Sequence, residues 1–134
     1  MQTKKKFEAS CLCGNIKFKI IGKLRNISNC HCKQCVKTHG NYAAYTSCYE
    51  KDITYSEKRN LKWFKSSNLA KRGFCSNCGA SIFFKRKNSE KISISAGLFS
   101  NPTKLKTINN IFVKGKLDFY KINNKIPKYN KYPK

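Results

Sequence analysis

The stretch "CLCGNIKFKII", Cys11 to Ile21, places two cysteines and a glycine directly before a run of alternating residues. Ile16, Phe18 and Ile20 fall on one face and Lys17 and Lys19 on the other. That two-residue period is the signature of a half-buried strand. Short runs of the same kind recur at AAYTSCY (43–49), LKWFKS (61–66), SIFFKR (81–86), KISISAG (91–97), NIFVKG (110–115) and LDFYKI (117–122). Turn-prone residues separate them, among them Ser66-Ser67-Asn68, Lys87-Asn88-Ser89 and Ser100-Asn101-Pro102. No window carries an apolar stripe of helical period over three turns. One or two helical turns are expected across KQCVKTHG (33–40), ending at Gly40. The expected fold is therefore all-β, a sandwich or open barrel of short antiparallel strands with little helix.

The 134 residues suit one domain, with a core over about 7–122 and an extended tail over 123–134 that Ile126 and Tyr129 could strap to the body. No run approaches the ~18 apolar residues of a membrane span. The opening MQTKKKFEAS has the positive charge of a signal peptide without an apolar segment behind it. A soluble, cytoplasmic protein is expected.

Eight cysteines in a reducing compartment call for an explanation other than disulfides. Cys11 and Cys13 are separated by one residue, as are Cys30 and Cys32, and such neighbours rarely bridge each other. Metal binding accounts for them better. Seven fall into three groups: Cys11-x-Cys13-Gly14, Cys30-x-Cys32-x2-Cys35 and Cys75-x2-Cys78-Gly79. The first and last share one design, a tight turn whose glycine permits the positive φ that lets two thiolates converge. Two such knuckles make a closed tetrahedral site of four thiolates, the structural kind of zinc site.

The remaining three, inside "SNCHCKQCVKTHG" (28–40), match the three-ligand pattern of catalytic zinc, whose fourth position takes water or a substrate thiol. A second structural site is the competing reading, closed by His31, His39 or Cys48. His31 lies between two ligands and is expected to point away. His39 could fold back on a helical turn, and Cys48 sits in an apolar run.

The order C-x-C-G, strand, C-H-C-x-x-C, then RGFCSNCGASIFF and ISAGLF resembles the glutathione-dependent formaldehyde-activating enzyme family, which is itself related to centromere protein V. The resemblance extends from about Phe7 to Pro133. It implies a zinc-pinned β-structure of coiled sheets, often called a β-tent. It also implies two zinc ions per chain, a structural one on Cys11, Cys13, Cys75 and Cys78 and a catalytic one on Cys30, Cys32 and Cys35. The implied reaction is that of a carbon–sulfur lyase on thiol–aldehyde adducts, joining glutathione and formaldehyde as S-(hydroxymethyl)glutathione. Lysines and Arg72 near the site would favour an anionic thiol. The chain departs from the usual pattern at Asn109-Asn110, where a His is common, and at Phe119-Tyr120, where Trp-Tyr is common.

A formal charge of +23 motivates the alternative, a non-catalytic zinc module that binds nucleic acid or another acidic partner. Seven thiolates on two zinc ions would lower the charge to about +20. The lysines are spread along the chain with no long basic block, and no row of exposed aromatics accompanies them. Trp63 and Phe64 straddle the faces of one strand, so one of them is expected in an exposed pocket. The enzyme reading leads.

Overall fold

The computed structural model describes residues 5–100 and 102–133. In chain order its elements are β1 (Lys6–Ser10), β2 (Ile16–Ile21), β3 (Ile27–Cys30), α1 (Lys33–His39), β4 (Ala43–Tyr49), β5 (Ile53–Lys58), β6 (Leu61–Lys65), β7 (Ala70–Cys75), β8 (Ser81–Arg86), β9 (Lys91–Ser95) and β10 (Thr107–Ile111), with three short 3-10 turns. The strands form a three-stranded sheet, β1-β2-β5, and a seven-stranded sheet, β10-β3-β4-β9-β8-β7-β6. All pairings are antiparallel except β10 with β3, which run parallel. The protein is thus mostly β with one α-helix. No helix among the described residues is long and apolar enough to cross a membrane.

The main core lies between the sheets. Ile16, Phe18 and Ile20 of β2 enter it as their alternation dictates, meeting Ile82 and Phe83 of β8 and Ile92 and Ile94 of β9. Each fully buried isoleucine contributes about 1.5–3 kcal/mol by leaving water. Phe18 and Phe83 pack at 5.2 Å between ring centroids, and Trp63 stacks on the other side of Phe83 at 5.7 Å and 12°. Gly73 on β7 makes that stack possible. A Cβ there would sit 3.1 Å from both Phe83 and Trp63. Phe64, the neighbour of Trp63, is exposed.

Four strands lacked a sequence signal for good reason. In β3 (Ile-Ser-Asn-Cys) every residue is buried because β10 and β4 flank it, so no polar face alternates with an apolar one. In β7 the residues buried at its centre are Arg72 and Gly73. β1 and β5 alternate in burial on the small sheet, but their inward faces are mostly only half-buried and include Glu57, so the apolar pattern is faint. Conversely, LDFYKI (117–122) forms no strand; its residues turn instead. The expected strand at NIFVKG ends at Ile111, because Phe112 takes a left-handed conformation, φ 54 and ψ 43, and a 3-10 turn follows. α1 ends at Gly40 as expected, with φ 87 and its N–H on the Val36 carbonyl.

The C-terminal segment is extended and tied down through its backbone. Asn110 N–H donates to the Pro127 carbonyl at 3.0 Å, and Tyr129 N–H donates to the Asn110 carbonyl at 2.9 Å. Val113 N–H then donates to the Tyr129 carbonyl at 3.2 Å. The strap expected at Tyr129 is present, made by its main chain.

Candidate metal and thiol site

The knuckles form as their glycines allow. Gly14 (φ 82) and Gly79 (φ 79) donate their N–H groups to the carbonyls of Cys11 and Cys75, closing each turn. The free amides then face sulfur: Ile16 N–H on Cys11 Sγ at 3.3 Å and Cys78 N–H on Cys75 Sγ at 3.4 Å. The sulfur atoms of Cys11, Cys13, Cys75 and Cys78 all lie within 4.8 Å of one another. Backbone amides of Ala80 and then Cys13 bring the Cys78 thiol down to about 6. The group bridges the two sheets, since one knuckle joins β1 to β2 and the other β7 to β8.

The second group rises from the end of β3 into the start of α1. Cys32 caps the helix, its sulfur accepting the Cys35 N–H at 3.4 Å. The sulfurs of Cys30, Cys32 and Cys35 also converge within 4.8 Å. Three thiols so close cannot ionise together unaided. Hydrogen bonds from Cys30 and then Cys35 pull Cys32 down to about 2, while the bonds with Cys32 and Cys35 raise Cys30. A soft divalent cation would relieve that conflict, and thiolates are its preferred donors. Both groups therefore have the donor set to hold a metal ion.

Among the described residues none of the three candidate fourth ligands joins the second group. His31 is fully buried and turned away, its Nε2 2.8 Å from Asn110 Oδ1 and its ring clustered with those of Tyr42 and Tyr120. Asn110, on β10, thus holds the loop that carries the sulfurs. His39 is engaged by Thr38 Oγ1 at 2.9 Å and Ser95 Oγ at 3.3 Å. Cys48 packs in the main core, where burial pushes its thiol up to about 12. It serves as a small hydrophobe.

The three-sulfur group lies in the wall of a cavity of about 510 Å³. Arg72, nearly buried, is the hub of this wall. Its Nη2 is 3.6 Å from Cys35 Sγ, its Nη1 donates to the Tyr45 hydroxyl at 3.0 Å, and its Nε donates to Gln34 Oε1 at 3.2 Å. Phe84 lies under the guanidinium at 4.9 Å. Arg72 was anticipated near the site. Tyr45 and Gln34 were not, since a tyrosine in a strand and a helical glutamine carry no motif. Burial raises the Tyr45 phenol above its usual range, so it stays protonated.

Fold and cysteine geometry together define a two-sheet β-protein with one inter-sheet thiol clamp and one cavity-side thiol cluster, both able to hold metal. The sequence profile of the family described as glutathione-dependent formaldehyde-activating enzyme matches residues 6–115, and the chain belongs to that family. It is 32% identical over 121 residues to an uncharacterized lyase of Schizosaccharomyces pombe, covering 89% of this chain and 87% of that protein. The crystal structure of a Rhodobacter sphaeroides protein shares the fold, with a TM-score of 0.59 and 20% identity over 72% of this chain and 91% of the other.

Proposed function

We propose that this protein is a zinc-dependent carbon–sulfur lyase-type enzyme acting on thiol–aldehyde adducts, with glutathione and formaldehyde as the reference pair. The observation that carries the reading is the three-sulfur cluster opening onto a 510 Å³ cavity while a complete four-sulfur group sits elsewhere. Zinc on Cys11, Cys13, Cys75 and Cys78 would be structural. Zinc on Cys30, Cys32 and Cys35 would leave a position for a substrate sulfur. Family membership and the lyase name of the yeast relative support the reaction class. The whole chain would act as one unit, its tail included.

When bound, zinc would supply the charge that keeps a thiol ionised at neutral pH. The chain's own residues then act on the partner carbonyl. Arg72 offsets negative charge beside Cys35 and, by donating to the Tyr45 oxygen, leaves the Tyr45 O–H free to donate into the cavity. A carbonyl oxygen held there gains a hydrogen bond as the sulfur–carbon bond forms and negative charge develops on it. The alkoxide then takes one proton from water, and in the reverse direction the adduct's hydroxyl returns that proton to water as the sulfur–carbon bond breaks, releasing aldehyde and thiolate. Phe84, Ile111 and Phe112 line the same cavity and limit water around the reacting atoms.

Elemental analysis should find two zinc ions per chain, and calorimetry of the zinc-loaded protein should detect glutathione. One zinc per chain, or no thiol bound at millimolar concentration, would overturn the reading.

A further inference from the structure

The chain uses lysine 25 times and arginine four times, yet three arginines, Arg25, Arg72 and Arg86, line the one cavity that holds the three-sulfur cluster. None of the six acidic residues lines it. Two of the three guanidinium groups are committed to the protein. Arg25 donates to the Tyr45 and Asn26 carbonyls, and Arg72 to Gln34, Tyr45 and Cys35. Arg86 differs. It closes β8 at the rim of the cavity, and among the described residues its guanidinium has no carboxylate partner. Its one aromatic contact is the ring of Tyr132, 5.5 Å away.

Tyr132 arrives there by construction. The segment 127–131 is bonded to Asn110, Phe112 and Val113, and Phe112 meets Tyr132 edge-on at 5.0 Å. The left-handed backbone of Phe112 is a costly conformation for an aromatic residue, and such strain is kept where surroundings fix it. Tyr132 and Pro133 then complete the cavity wall. Both lie beyond the residues that the family profile matches.

We propose that Arg86, held against Tyr132, is a carboxylate-recognition subsite at the cavity rim, so that the ligand this chain selects is a thiol bearing a carboxylate at its far end. A planar guanidinium with one face on an aromatic ring keeps its edge free for the two oxygens of a carboxylate. The apolar side chains that line the same cavity, Leu69, Phe84, Ile108 and Ile111, suit a carbon chain joining the two ends. The proposal rests on the reading of the three-sulfur cluster as the thiol site.

Calorimetry of the zinc-loaded protein with 3-mercaptopropionate, 6-mercaptohexanoate and their primary amides tests it. At least one acid should bind more tightly than its amide, by roughly five-fold or more for a charge-assisted contact at a half-open site. Arg86→Gln should abolish that preference and leave amide binding unchanged, and Tyr132→Ala should reduce it. Lys58→Gln removes the same charge from the small sheet, away from the cavity, and should leave the preference intact. Equal binding of acids and amides, or a preference that survives Arg86→Gln, would overturn the subsite while leaving the thiol site standing. A preference lost equally in Lys58→Gln would assign it to the general field and overturn the subsite too. Failure of acids and amides alike to bind would remove the thiol site and the subsite with it.

Discussion

The four-sulfur group is assembled from two knuckles that lie 62 residues apart, from Cys13 to Cys75, and belong to different sheets. The three-sulfur group comes from six consecutive residues at the junction of one strand and one helix. Both use thiols turned toward each other by backbone amides, so their local chemistry is alike. Their surroundings differ. The first group has backbone N–H groups and the Asn77 side chain around it, and among the described residues no charged side chain hydrogen-bonds its sulfurs. The second faces a cavity and is served by Arg72, Gln34 and Tyr45. A clamp needs ligands alone, whereas a reacting centre also needs room and donors.

Substitutions can break that comparison. The largest effect is expected for Cys75→Ser, which removes one of the four sulfurs that converge from the two sheets. The zinc-loaded domain should lose about 5 kcal/mol or more of stability, read by thermal or denaturant unfolding. Cys32→Ser should instead leave a folded protein, with metal content falling toward one ion per chain and thiol binding lost in calorimetry. If both variants unfold alike, the two groups do not have separate roles.

Tyr45→Phe isolates the donor from the metal. Turnover should fall by about 10²-fold, the scale of one lost oxyanion donor, while zinc content and thiol affinity stay near those of the parent. Gly115→Ala sharpens the contrast from the packing side. An added Cβ would stand 2.3 Å from the His31 carbonyl, on the loop between two of the three sulfurs. Backbone must move to admit it, at a cost of about 1–3 kcal/mol. The three-sulfur group should lose metal before the four-sulfur group does, as a chelator titration would show.

The smallest of these effects on metal is expected for Asn110→Ala. His31 Nε2 would lose its partner beside an Nδ1 that already lacks one, costing about 1–3 kcal/mol. Metal loaded on the four-sulfur group, whose knuckles join other strands, should be retained in the same chelator titration.

The sequence alone determined the three cysteine groups, the strand character of the alternating runs, and the helix closed by Gly40, because spacing and period act over a few residues. It could not show β3 or β7, whose burial comes from neighbours on both sides and reverses the usual polarity of a strand. Nor could it choose among His31, His39 and Cys48 as a fourth ligand. That choice depended on which way each side chain was already engaged: His31 with Asn110, His39 with Thr38 and Ser95, Cys48 with the core. The tertiary structure likewise decided that Arg72, Tyr45 and the C-terminal segment share one cavity. Residues 45, 72 and 132 come to line one cavity only after the large sheet is paired and the tail docked on β10. No local pattern encodes such a meeting, since its energy comes from contacts between segments far apart in the chain.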